Sequence, residues 1–369
     1  MILLKAAASK ILAVLQTVIG IVHKRSLMPI LSNVLIRRIG DTIQFTASDL
    51  EVQIRTTVEI DGDAGDCATT VNAGKLLSIL QSMPSDQTVT LKSSNEKLIF
   101  SGGKSKFTLQ TLPALDFPLI TEDPGFGAVF SVPQKTLKEL LKRVSFAMAV
   151  HDIRYYLQGI LFVVNDQELT LVATNGHHLA LASATLECEF EHQELILPRK
   201  TALELQKLLS DDEGAVEVQF AKTQIKFKFG TVEFVSKLVE GKYPDYARVI
   251  PKNLTKEFLI DRVTFLRSLQ RTQIMTSDKF SGVELTIKAG IMRVSASNAE
   301  QEEAVDEIDI ATYHGGKTEI GFNVTYLIDA LNNMEQETVK MELSESNTSA
   351  LLTIPDNAHF KYICMPMKV

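Results

Sequence analysis

The chain carries one series of elements three times, and this period constrains the fold more than any other feature of its 369 residues. The stretch 5–118 lines up with 130–245 and again with 257–369. Each copy opens on an amphipathic helix, predicted over Lys10–Gly20, Gln134–Val144 and Asp261–Thr272. A strand pair then closes on a polar turn anchored by Asp49, Asn175 and Asn298, which lie 126 and 123 residues apart. A second helix is predicted over Thr70–Gln81, Leu197–Leu209 and Gly321–Asn332. Solenoid repeats have periods of about 20–50 residues, so a period this long is that of a whole domain. Short β-branched or alternating runs such as Thr42–Thr46, Val216–Phe220 and Ile225–Phe229 lie close together in sequence. Closely spaced strands pair antiparallel, so the predicted class is α+β, with two helices and about eight strands per copy. Pro- and Gly-rich segments at 117–127 and 243–253 fall where the repeat needs joints. The predicted domains are therefore 1–124, 125–250 and 251–369.

Composition excludes several classes. No apolar run reaches the 18 residues that a membrane helix needs. The apolar stretch at 11–22 is interrupted by Gln16 and Thr17 and precedes Lys24 and Arg25, the reverse of a signal peptide. Cys67, Cys188 and Cys364 stand singly, which argues against a disulfide framework and a zinc site and for a cytoplasmic protein. No phosphate-binding glycine motif or nucleophile elbow is present, and Ser101-Gly-Gly-Lys104 lacks the required spacing. His177-His178 has no carboxylate or third ligand at chelating distance in sequence. The expectation is a protein that is not an enzyme and needs no cofactor or metal.

Charge is segregated. The formal net charge is −7, yet the six predicted helices hold twelve Lys/Arg and four acids. They total +8 and the remainder −15. Lys135, Lys138 and Lys142 recur on one face of the third helix, opposite Leu137, Leu140, Leu141 and Val144. Basic helices on an acidic body suit a polyanion on one surface only. The acidic run Glu300, Glu302, Glu303 with Asp306 could meet Lys97, Lys104 and Lys106 of another chain. The C-terminal Met365-Pro366-Met367 is apolar where termini are usually polar, and methionines suit an adaptable groove.

Six motifs together resemble the bacterial DNA polymerase III beta subunit, the sliding clamp, along the whole chain. They are Arg154–Phe162, Ala173–Leu179, Leu197–Lys200, Ser236–Tyr246, Ile320–Tyr326 and Met365–Met367. The resemblance implies a head-to-tail homodimer closing a six-domain ring around double-stranded DNA, held without sequence readout. It implies tethering of the replicative DNA polymerase for processive synthesis. The clamp loader, other polymerases and repair proteins would dock through short apolar peptides. By motif, DNA contacts fall on Arg25, Lys75, Arg154, Tyr155, Tyr156, Arg199 and Lys200. The peptide groove falls on Leu157, Thr174, Gly176, His177, Leu179, Pro244, Arg248, Val249, Tyr326, Ile363, Met365, Pro366 and Met367. The dimer seam joins Lys97, Lys104, Lys106, Phe107 and Leu109 to Ile274, Met275, Glu300, Glu302, Glu303 and Asp306. His178, Ala247 and Lys368 stand where the family commonly has Arg. Rival readings are a hydrolytic or DNA-modifying enzyme built on His177 or His178, and a scaffold with no DNA role. The missing catalytic motifs disfavour the first, and the charge segregation disfavours the second.

Overall fold

In a computed structural model of the chain, the described residues are all but 24–26, 60, 64, 95, 124, 277–280, 311, 345–347 and 369. The first repeat runs β1 (Ile2–Ala7), α1 (Ala8–Ile19), β2 (Asn33–Ile39), β3 (Thr42–Ser48), β4 (Val52–Glu59) and β5 (Cys67–Asn72). It continues with α2 (Ala73–Gln81), β6 (Thr88–Ser94), β7 (Lys97–Gly102) and β8 (Ser105–Leu112). The second has β9 (Phe130–Pro133), α3 (Gln134–Ser145), β10 (Gly159–Thr174), β11 (His178–Pro198) and α4 (Arg199–Leu208). It ends with β12 (Ala215–Phe220), β13 (Gln224–Phe229) and β14 (Val232–Lys237). The third begins with β15 (Lys256–Asp261), α5 (Arg262–Gln273), β16 (Gly282–Lys288), β17 (Gly290–Ser297) and β18 (Glu303–Ile310). It ends with β19 (Thr318–Asn323), α6 (Val324–Asn332), β20 (Thr338–Leu343), β21 (Ala350–Ile354) and β22 (Asn357–Cys364).

The first and third repeats follow one order, with eight strands and two helices each. The second has six strands, not the eight expected. Its β10 and β11 are 16 and 21 residues long and do the work of four. Residues 168–174 pair with 179–185, and 159–164 pair with 193–198. Shifted by one repeat, these are the β3–β4 and β2–β5 pairings of the first copy. The turn survives inside β10: Asp166 has φ 51°, where the other copies have Gly40 at 57° and Gly290 at 81°. Asp tolerates this left-handed conformation better than most residues with a Cβ.

The predicted polar turns at Asp49 and Asn175 are Asx turns, in which a side-chain oxygen replaces a backbone acceptor. Asp49 Oδ1 accepts from Glu51 N and Val52 N at 2.9 and 2.6 Å. Asn175 Oδ1 accepts from His177 N and His178 N at 2.9 and 3.2 Å. Asn298 Oδ1 accepts from Glu302 N at 2.9 Å. The second helix starts later than predicted in all three repeats, because residues 70–72, 197–198 and 321–323 are still strand. Asn72 and Asn323 mark the switch, their side chains accepting from Lys75 N and Thr325 N as N-caps.

The chain forms two compact units: 1–135 with 204–238, and 136–203 with 239–369. In the first unit, twelve strands link in the order β1-β6-β7-β8-β5-β2-β3-β4-β14-β13-β12-β9. Helix α1 turns Ala8, Ile11, Leu15 and Val18 inward and packs on α2. In the second unit, β10-β11-β22-β21-β20-β15 form one sheet and β18-β17-β16-β19 another, with α5 packed on α6. Every strand pairing in the described residues is antiparallel, as expected for the α+β class. No helix of the described residues is long and apolar enough to cross a membrane.

Candidate functional site

In the second unit, β22 runs beside the start of β11, pairing His178 with Cys364 and Leu179 with Ile363. The backbone beyond stays pinned: Met365 N donates to His177 O at 3.0 Å and Met367 N to Gly321 O at 2.9 Å. An apolar cavity of about 210 Å³ opens beside this join. Of the expected groove residues, Leu157, Thr174, Gly176, Leu179, Pro244, Val249, Ile363 and Met365 line it. His177, Arg248, Tyr326, Pro366 and Met367 are not in its lining. Arg248 stands in solvent, paired with Asp245 at 2.8 Å. Four further residues complete the wall: Arg154, Tyr156, His178 and Tyr246. Their sequence signal was adjacency, since Arg154 and Tyr156 precede Leu157, and Tyr246 follows Pro244 by two residues.

Arg154, expected on the DNA face, is held at this cavity. Its Nε and Nη2 donate to the two carboxylate oxygens of Asp152 at 3.0 and 2.7 Å, and Nη2 also donates to Asn175 O at 3.1 Å. The guanidinium hydrogen bond pulls the Asp152 carboxyl down to about 2. Gly176 is required twice over: its φ is 91°, and a Cβ would lie 3.0 Å from Arg154 Nη1. Tyr243, which sequence reasoning missed inside a Pro-rich joint, supports the same turn from below. Its hydroxyl accepts from Thr174 N at 3.1 Å, and burial pushes its pKa well up.

His178 is a wall residue, 4% exposed. Its ring stacks on Tyr326 at 4.2 Å and 13° and lies near Phe146 and Tyr362. Burial, then the neighbouring His177 charge, pulls its pKa down to about 4. Tyr326 thus shapes the groove through His178, and it also accepts from Asn175 Nδ2 at 3.2 Å.

Of the expected DNA contacts, Lys75 is exposed on the first turn of α2, and Tyr155 is exposed beside Tyr156. Arg199 and Lys200 are half-buried in the first turn of α4, and Arg25 lies outside the described residues. Several other helix cations are engaged within the chain: Lys142 with Glu335, Arg143 with Glu139, Lys207 with Glu204, and Arg271 with Asp306.

The expected seam residues sit on two sheet edges. Strand β8 pairs with β7 along its length but with β5 only at Thr111 and Leu112. Lys104 and Lys106 are exposed there, Phe107 stacks edgewise on Phe100, and Leu109 faces a second cavity of about 630 Å³. Strand β18 is the edge of its sheet; Glu303 and Asp306 lie on it, with Glu300 and Glu302 in the preceding turn. Ile274 is 74% exposed just after α5, next to half-buried Met275. Among the described residues, no cluster of three His, Cys, Asp or Glu is placed to hold a metal.

A threefold α+β repeat with basic helices, open charged edges and an apolar peptide-sized groove defines a DNA-clamp scaffold. Sequence models of the DNA polymerase III beta subunit match its N-terminal domain at 4–121, its central domain at 131–245 and its C-terminal domain at 247–368. The chain belongs to this family, the sliding clamps, which are non-catalytic processivity factors of DNA replication. It is 43% identical to the beta sliding clamp of Pseudomonas putida over 357 residues, 96% of each chain. The crystal structure of the DNA polymerase III subunit beta from Pseudomonas aeruginosa superposes with a TM-score of 0.96, at 40% identity over all of both chains. A second Pseudomonas aeruginosa sliding clamp, bound to griselimycin, also gives 0.96 at 40% identity over 99% of each chain.

Proposed function

We propose that two copies join head to tail, edge β8 of one against edge β18 of the other, and close a ring around duplex DNA. The observation that carries this reading is the pairing of chemistry on two open strands. Lys106 lies on β8, Lys104 in the turn before it and Lys97 on its neighbour β7, while Glu303 and Asp306 lie on β18. Open edges template strand addition, heterologous contacts close into rings when the rotation permits, and opposite charges set the register. The apolar floor of the seam would come from Phe107, Leu109, Ile274 and Met275. Asp306 is already engaged by Arg271, whose Nε lies 2.9 Å from its carboxylate. Its role at the seam would therefore be shared with that arginine.

Encirclement would make tight binding unnecessary. Lys75, Arg154, Tyr155, Tyr156, Arg199, Lys200 and Arg25 would touch phosphates without reading bases. A tethered polymerase would gain effective concentration at the primer end. The groove around Leu157, Leu179 and Ile363 would take short apolar peptides of the replicative polymerase, the clamp loader, other polymerases and repair proteins. The domains would meet at 124/125 and 250/251, and the work would be done in the cytoplasm. Replacing Ile274 and Met275 by Ala together should give monomers in sedimentation velocity; an intact dimer would count against the seam.

A further inference from the structure

The groove holds one polar atom whose role a count of protons identifies. Tyr362 Oη has a single hydrogen, and it donates to Tyr326 O at 2.8 Å. The 3.0 Å contact between Tyr362 Oη and His178 Nδ1 therefore needs its proton from the imidazole. A neutral imidazole with hydrogen on Nδ1 carries a lone pair on Nε2 and can only accept there. Burial keeps the ring neutral at physiological pH. The Tyr326 stack and the flanking Phe146 fix its plane.

Several other polar groups of the cavity are already engaged. Thr174 Oγ1 donates to His178 O at 2.6 Å and accepts from Gly176 N at 3.0 Å. Thr174 N is taken by Tyr243, and the Arg154 guanidinium by Asp152 and Asn175. His178 Nε2 has no hydrogen-bond partner in the described residues, and it is not among their sealed polar atoms. His178 itself lines the cavity. Apolar pockets orient their ligands through a few placed polar groups.

We infer that His178 Nε2 is a polar anchor of this groove, accepting a hydrogen bond from an N–H of the bound peptide. The inference rests on the reading of the cavity as the partner groove and adds a specificity to it. The groove would select apolar peptides that present an N–H donor at this point and discriminate against the same peptide with that nitrogen methylated or replaced by an acceptor.

The test uses the full-length ¹⁵N-labelled protein and a synthetic leucine- and phenylalanine-rich pentapeptide with capped ends. Long-range ¹H–¹⁵N spectra of the peptide-free protein should show His178 with Nδ1 protonated and Nε2 bare. Saturating peptide should move the Nε2 resonance in the direction of an accepted hydrogen bond. Among peptides N-methylated one position at a time, one should bind the native protein about 3- to 10-fold more weakly. His178→Phe, which keeps a ring on Tyr326, should erase that difference. A proton on Nε2 in the peptide-free protein overturns the anchor, as does an Nε2 resonance that peptide does not move. Equal discrimination by the native protein and His178→Phe overturns it as well. Failure of every peptide to bind the native protein overturns the groove reading itself, and the anchor with it.

Discussion

Acid should weaken this protein in part through His178. In the unfolded chain its imidazole titrates near 6.5; in the folded chain burial holds it at about 4. Between these values the unfolded state binds the proton that the folded state refuses, so stability rises with pH across the window. The contribution is complete above about pH 6.5 and is lost as pH falls towards 4. Each pH unit inside the window costs about 1.4 kcal/mol. At pH 5 the loss is therefore about 2 kcal/mol, and by pH 4 about 3 kcal/mol. His178→Phe keeps an aromatic ring against Tyr326 and removes the titration. The Tyr362–Tyr326 hydrogen bond does not depend on it. Carboxyls held low elsewhere, such as Asp152, are common to both proteins and cancel in the comparison. Urea unfolding followed by circular dichroism, at fixed protein concentration, should be run at pH 7 and pH 5. The native protein should lose about 2 kcal/mol more than His178→Phe. Equal losses would refute the buried neutral histidine.

Two further perturbations separate the groove from its supports. Removing residues 365–369 should abolish binding of the polymerase's apolar peptide while sedimentation still reports a dimer; unchanged peptide affinity would remove the C-terminal segment from the groove. Tyr243→Phe deletes the acceptor of the buried Thr174 N–H, which should cost about 1–3 kcal/mol in thermal unfolding and weaken peptide binding. A variant as stable as the native protein would mean that Thr174 N–H finds another partner.

Local chemistry was legible in sequence wherever one residue type has one job. Asp49, Asn175 and Asn298 announced three turns because a short side-chain acceptor at that spacing replaces a backbone bond. Helix starts were misread at 70–72, 197–198 and 321–323, where strand residues run straight into the helix. Asn72 and Asn323, the capping residues, were the better signal. The second repeat's strand count failed for a related reason: Asp166 turns the chain without breaking the strand. In the groove, the apolar residues followed from the family motifs. Arg154 was assigned to DNA alone, because only the Asn175 turn and Asp152 bring its guanidinium to the cavity. Tyr243 sat in a segment read as a joint, and no periodicity marks a residue whose hydroxyl reaches the turn across 69 positions. The basic charge of the helices was read correctly as composition but overcounted as surface, since Lys142, Lys207 and Arg271 face acids of their own chain.

The central claim is topological: the protein stays on DNA because it surrounds it. The most direct measurement loads the labelled protein onto a nicked circular duplex, removes unbound protein, and then linearises the circle with a single cut. Encirclement predicts stable retention on the circle and rapid loss once ends exist, with retention restored when both ends are blocked. Retention on linear DNA with open ends would contradict the account.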